Sequence, residues 1–254
     1  MTDVAPPGHA TYPSLRGRSV IVTGGASGIG AELVAAFARQ GARVAFLDRD
    51  AAAARGVAEA TQAVWRHCDL TDIAATQAAL GELAEEAGTF TVLVNNAARD
   101  DRHDWREVTP GYWDERFATN LRHMFFAIQS VAPGMARAGG GSIINIGSNS
   151  WWEAVAGLPV YATAKSAVHG LTRSMARELG RDRIRVNTVV PGWIMTERQK
   201  ALWVTPEALA AHLKRQCLPD PIAPEAVARM VLFLASHDSA MCTASNFMVD
   251  GGSI

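Results

Sequence analysis

"TGGASGIG", residues 23–30, decides how this chain folds. It ends an apolar run, "SVIVTG" (19–24), and leads into a helical pattern, "GIGAELVAAFARQ" (28–40). A nucleotide pyrophosphate needs backbone N–H groups with no Cβ atoms in the way, set at the positive end of a helix. Gly24, Gly28 and Gly30 provide this, with Ser27 and Ile29 between them. A glycine cluster alone also suits a plain tight turn. Strand, turn and helix in this order make it a dinucleotide fingerprint. Asp48 closes the second apolar run, "RVAFLD" (43–48), where an acid can bind ribose hydroxyls. At about 4 Å and an effective dielectric near 20, a carboxylate repels a 2′-phosphate by about 4 kcal/mol. Ser27 offers no cation to offset that, so the reading favours NAD over NADP. Arg49, next along, either stacks on adenine or softens the repulsion.

Outward from this turn the apolar runs continue as "AVWRHCD" (63–69), "TVLVNNA" (91–97), "SIINIGS" (142–148), "RVNTVVPG" (185–192) and "NFMVDGG" (246–252). Through residue 190 they are continuous rather than alternating, as parallel strands buried on both faces are. Helical patterns such as "GYWDERFATNLRHMFFAIQSVAPGMA" (111–136) and "PVYATAKSAVHGLTRSMARELG" (159–180) lie between them, with Gly41 and Gly180 as candidate C-caps. Strict alternation predicts right-handed βαβ units: an α/β, Rossmann-type, doubly wound parallel sheet of seven strands with helices on both faces. No linker or repeat divides the chain. Residues 1–15, rich in Pro, Gly and Ala, read as a loose arm, and 16–254 as one domain with a substrate loop at about 192–222.

The chain's 254 residues are 48% hydrophobic and 19% charged, enough for one sizeable core. A formal net charge of −1, with no basic run, gives no reason to expect a nucleic acid. Three cysteines without CxxC spacing read as free buried thiols of a reducing compartment. The opening "MTDVAPPGHATYPSL" lacks the basic and apolar regions of a secretion signal, and no apolar run spans a bilayer. The expected location is cytoplasmic. Nothing has metal-ligand spacing.

The landmarks together resemble the single-domain short-chain dehydrogenase/reductase family, from Gly17 to Ile254. They are "TGGASGIG", "CDL" with Asp69, "NNAA" (95–98), Asn120, Ser148, "YATAK" (161–165) and "PGWIMT" (191–196). Ala98 departs from the family's usual glycine and narrows the space beside the nicotinamide. A narrower set, including "DDRH" (100–103), "GYWDER", "NLRHM" and "VAPGM", resembles the bacterial NAD-dependent D-xylose 1-dehydrogenases within that family. That likeness implies oxidation of the anomeric carbon of an aldopyranose to a lactone. L-arabinose, D-galactose and L-fucose are competing substrates. A carbonyl or 3-oxoacyl reductase and a non-catalytic NAD sensor remain alternatives.

The resemblance also implies roles. Tyr161 and Lys165, one helical turn apart, act as base and activating cation. Ser148 hydrogen-bonds the substrate oxygen, and Asn120 holds a relay water. Asn96 touches the cofactor, and Asp69 and Leu70 flank the adenine, although Asp69 with Thr71 also fits a helix cap. Asn95 and Asn96 fit a polar cap as well. Ile194 and Thr196 contact the nicotinamide end, and "RQKALWVTPE" (198–207) is the lid. A phenol with a pKa of about 10 serving near pH 8 needs help of about 3 kcal/mol, expected from Lys165 and the oxidised nicotinamide. For the sugar, the expected contacts are Ser148, Ser150, Trp152, Tyr161, Trp193 and Asp101. Trp151 and Glu153 are further candidates and Trp203 a weaker one. The tryptophan pair equally suits a loop sealed against another subunit, and residues 100–103 a solvated salt-bridge cluster. The family's assembly implies a homotetramer or homodimer.

Overall fold

The computed structural model describes residues 10–254. Seven strands, β1 (Ser19–Thr23), β2 (Arg43–Asp48), β3 (Val64–His67), β4 (Val92–Asn95), β5 (Gly141–Ile146), β6 (Ile184–Pro191) and β7 (Asn246–Val249), form one sheet in the order β3-β2-β1-β4-β5-β6-β7. Every pairing is parallel. The doubly wound sheet read from the sequence is therefore what the chain forms.

Helices α1 (Gly28–Arg39) and α2 (Ala51–Thr61) precede α3 (Ile73–Ala87), α4 (Pro110–Phe117) and α5 (His123–Arg137). After them come α6 (Pro159–Leu179), α7 (Glu197–Leu202), α8 (Pro206–Leu213) and α9 (Pro224–Ala235). On β1, Val20 and Val22 pack with Leu33 and Phe37 of α1 and Val231 of α9. Ile21, between them, packs with Leu83 of α3 and Ile128 of α5 on the opposite face. Successive side chains enter two different cores, which is why the run shows no polar alternation.

Three local expectations need correction. β3 is one of the two edge strands and is only half-buried; its Arg66 reaches out to Glu82 and Glu86, each at 3.0 Å. The loose arm expected over 1–15 lies outside the described residues as far as residue 9. Beyond it, Pro13–Leu15 forms a 3-10 turn with Leu15 fully buried, so the packed body begins before residue 16. Gly41 follows α1 at φ +73°, as a left-handed cap should, but Gly180 is right-handed and Arg183 takes the left-handed position instead.

The helix read over 111–136 is interrupted in its middle. Between α4 and α5 the chain makes a wider π turn, Ala118–Arg122, and this turn carries the fully buried Asn120. Such single-turn widenings recur at functional sites.

Candidate active site

The chain builds outward from β1 to β3 and then returns to place β4 beside β1, pairing Thr23 with Asn95. A crevice opens at such a reversal, beyond the carboxyl ends of the strands. Here it is a cavity of about 670 Å³ running from the glycine turn to the substrate loop.

At the nucleotide end the geometry excludes side chains. A Cβ on Gly30 would lie 1.8 Å from the Gly24 carbonyl oxygen, and Gly24 itself sits at φ +67°. α2, α3 and α4 are capped by the side chains of Asp50, Asp72 and Thr109, whereas no side chain caps α1. Its first turn, with Ser27, Ile29 and Gly30 on the cavity wall, suits an anion. Gly28 is covered by Thr196, whose Cγ2 lies 3.2 Å from where a Cβ would stand. Asp48 accepts N–H bonds from Ala26 and Asp50, each at 2.9 Å, which fixes its carboxylate beside the turn. Asn96 braces the turn from below, donating to the carbonyls of Thr23 (3.0 Å) and Gly24 (2.8 Å). Asn95 faces the other way, donating to Asn145 at 2.8 Å. Asp69 and Leu70 line the cavity. The capping role open to Asp69 belongs to Asp72; Asp69 instead binds the Thr71 N–H and hydroxyl, and the N–H contact holds its carboxyl low.

The hydroxyl and cationic groups meet on the wall formed by β5 and α6. Tyr161, Lys165 and Ser148 all line the cavity, with the Lys165 Nζ 5.8 Å from the Tyr161 ring centre. Lys165 is 1% exposed and donates to the Ile146 carbonyl at 2.7 Å. Burial pulls its ammonium down to about 7, against a raising influence from Asp100. The Tyr161 phenol moves the other way. Desolvation and then Asp100 push it above its ordinary value, while hydrogen bonding by Ser148 and the charge of Arg198 pull it down. Burial therefore raises the phenol in the protein alone, and the nicotinamide cation on which the sequence reading also relied is not part of that balance.

Asn120 stands behind this wall. Its Oδ1 accepts the Arg99 N–H at 2.8 Å, and its Nδ2 is buried without a protein partner. His123, one turn on, is fully buried with its Nε2 beside the Ala97 carbonyl at 3.1 Å; burial lowers it to about 4, so it is neutral.

The substrate loop leaves and rejoins the body at a bridge between Ile194 and Ile222. Ile194, Thr196 and Trp193 line the cavity. α7 is tied across it: Arg198 pairs with Asp100 and, at 2.7 Å, with Asp101, and Gln199 donates to Asp100 at 2.6 Å. Trp193 Nε1 donates to Gln199 at 2.9 Å. Asp100 and Arg102 reach the cavity, but Asp101 does not. It is held among Arg99, Arg116 and Arg198, so the salt-bridge reading applies to it rather than sugar contact. His103 ties the start of α6, accepting the Val160 N–H at 3.4 Å.

Trp152 is also corrected. Residues 149–153 make one helical turn, with the Trp152 and Glu153 N–H groups both on the Asn149 carbonyl. Ser150 and Glu153, three apart, share the face on the cavity. Trp151 and Trp152 take the other face, stacked 3.8 Å apart, and Trp151 Nε1 donates to His169 at 3.2 Å. Neither lines the cavity, and Trp152 is 37% exposed. Cavity residues that no sequence signal singled out include His212 and Arg215, whereas Arg198 and Gln199 open the stretch read as the lid. His212 and Arg215 lie at and just past the end of the short helix α8, where periodicity carries no information.

Three comparisons bear on this arrangement. A family model described as Enoyl-(Acyl carrier protein) reductase matches residues 24–253. The chain is 50% identical to D-xylose 1-dehydrogenase of Caulobacter vibrioides, over 96% of this chain and 98% of that one. It is 48% identical to a protein of Rhizobium meliloti named probable galactose dehydrogenase, over 95% and 96% respectively. The crystal structure of 3-oxoacyl-[acyl-carrier protein] reductase from Brucella melitensis superposes with a TM-score of 0.91 at 31% identity, covering 100% of this chain and 98% of that one. With its parallel sheet, glycine turn and Ser148–Tyr161–Lys165 wall, the chain belongs to the short-chain dehydrogenase/reductase family of oxidoreductases.

Proposed function

We propose that this protein oxidises the anomeric hydroxyl of an aldopyranose to the lactone, with D-xylose the favoured sugar and NAD the favoured cofactor. The observation that carries the reading is the meeting of Ser148, Tyr161 and Lys165 on one wall of a cavity that ends at Asp48 and the uncapped start of α1. The xylose and galactose dehydrogenases among its relatives support the substrate class.

The residues fit a nicotinamide dinucleotide. The side-chain-free cradle at Gly24 and Gly30 suits the pyrophosphate, Asp48 the ribose hydroxyls, Asp69 and Leu70 the adenine, and Ile194 and Thr196 the nicotinamide end. Bound NAD supplies the hydride acceptor. Tyr161 takes the proton of the anomeric hydroxyl while Ser148 donates a hydrogen bond to the same oxygen. Because burial and Asp100 raise the phenol, positive charge must be restored beside it. Lys165 supplies that charge when protonated, using N–H groups beyond the one spent on Ile146. The unpartnered Nδ2 of Asn120 suits a water that relays the proton outward.

The test is reduction of NAD, with NADP in parallel, across a panel of aldopyranoses. Aldopyranoses should turn over, with NAD preferred by about tenfold or more. Tyr161→Phe should lower kcat by about 100- to 10,000-fold while dinucleotide still binds. Rates confined to 3-oxoacyl thioesters or simple alcohols would overturn the sugar assignment. Turnover retained in Tyr161→Phe would overturn the mechanism. The same reading favours the cytoplasm, in keeping with three free cysteines, of which only Cys68 is buried and Cys217 is exposed rather than buried as expected. It pairs copies through the long helices, where Trp113 and Phe125 are exposed.

A further inference from the structure

A helix leaves its first N–H groups without partners inside the helix, and a side chain just before it commonly accepts from one of them. α2, α3 and α4 use their own Asp50, Asp72 and Thr109. α6 cannot, because Leu158 stands at its cap position and offers no acceptor. Pro159 has no N–H, and Ala162 bonds the Leu158 carbonyl at 2.8 Å. The Val160 N–H goes instead to His103 Nε2, at 3.4 Å and 57 positions away along the chain. His103 grips the same turn a second time, its own N–H donating to the Gly157 carbonyl at 2.9 Å. The ring contact is long, and the shorter Gly157 contact secures it.

The far side of the ring agrees with this assignment. An amide N–H only donates, so Nε2 is the bare nitrogen and the ring proton sits on Nδ1. Nδ1 lies 3.0 Å from the Asp101 carbonyl, which only accepts, and 3.0 Å from the Tyr112 hydroxyl. Both edges of the ring therefore call for the same tautomer. Tyr161 follows Val160 directly, so the staple acts on the turn of backbone that carries the phenol to the Ser148 wall. Earlier in the same stretch, Asp100 and Asp101 hold the lid through Arg198 and Gln199. We infer that His103 is a positioning residue for Tyr161: from the loop after β4 it closes the uncapped start of α6 and so fixes the phenol against Ser148 and the reacting hydroxyl. This rests on the proposed role of Tyr161 as the base.

The experiment measures kcat and KM for the aldopyranose that the panel favours, with hydrogen or deuterium at C1, in the wild type, His103→Gln, His103→Asn and His103→Phe. Gln brings a carbonyl oxygen to the reach of Nε2, Asn is too short, and Phe fills the ring's volume without an acceptor. Dinucleotide titration counts the folded sites, so that kcat is expressed per binding site, and thermal unfolding records stability. Asn and Phe should each lower kcat per site by about 10- to 100-fold, with an isotope effect no smaller than that of the wild type. Sugar KM and dinucleotide affinity should stay within about threefold, and Gln should hold kcat within about fivefold of the wild type. A merely structural role would lower the melting temperature and the number of sites but leave kcat per site unchanged. That result, or a Gln variant as slow as Phe, would overturn the positioning role. Should Phe fail to fold, the Asn and Gln pair carries the comparison. Turnover retained in Tyr161→Phe would instead remove the base on which the inference rests, and a wild type that oxidises no aldopyranose would remove the sugar reading before any variant is made.

Discussion

The two ends of the cavity are built by opposite means. The nucleotide end is almost all backbone: glycines that clear space, an uncapped helix terminus, and one carboxylate pinned by the N–H groups of Ala26 and Asp50. The sugar end is almost all side chain. Arg198, Gln199, Trp203, His212 and Arg215 of one loop meet Glu153 there, with Arg198 and Gln199 tied to Asp100 and Asp101 and Glu153 tied to Asn149 and Arg215. A backbone cradle fits what every member of a cofactor class shares. A side-chain wall can change its ligand without disturbing the fold.

The sharpest way to break this comparison is Gly30→Ala. With its Cβ 1.8 Å from the Gly24 oxygen, the turn must open, and dinucleotide affinity in a fluorescence titration should fall by about 100-fold or more, with lowered thermal stability. Ordinary binding by that variant would show that the cradle is not set by backbone clearance.

Lys165→Met probes the wall between the two ends. The folded Lys165 titrates near 7 and an unfolded lysine near about 10.4, so the unfolded chain holds more protons between those values. Stability therefore rises with pH through that window, and the penalty is present in full at and below pH 7. Removing the amine should stabilise the protein by about 1–3 kcal/mol at pH 7, after allowing for the Ile146 carbonyl left without its donor. Turnover should collapse. In urea melts the advantage should shrink as pH rises toward 10; an advantage independent of pH would refute the burial account.

The smallest effects belong to the ties across the lid. Asp100 raises the Tyr161 phenol and Arg198 lowers it. Asp100→Asn should therefore move the acidic limb of the pH–rate profile for sugar oxidation to lower pH, and Arg198→Met should move it higher. Because the pair is partly exposed, its loss is worth at most about 1 kcal/mol, and KM should rise no more than about fivefold. Shifts in the same direction would mean that the lid, rather than its charges, tunes the base.

The order of strands and helices was legible because each signal is short-range. β1 announces itself by an apolar run buried on both faces, and α6 by a Tyr161–Lys165 spacing that only a helix brings onto one side. Reading failed where neighbouring residues part company. Trp151, Trp152 and Glu153 look equivalent in sequence, yet one helical turn sends Glu153 to the cavity and both tryptophans toward His169. Asp100 and Asp101 divide in the same way, one on the cavity and one among arginines.

By itself, then, the sequence determined the doubly wound sheet, the nucleotide turn with its Asp48, and the Ser148–Tyr161–Lys165 set, since glycine freedom and helical periodicity act within a few residues. Only the tertiary structure decided which side chains face the cavity and that burial and Asp100 raise the Tyr161 phenol. Both depend on how deeply a group is buried and on charges such as Asp100 and Arg198, which lie 98 positions apart along the chain and meet only when the lid folds across the sheet.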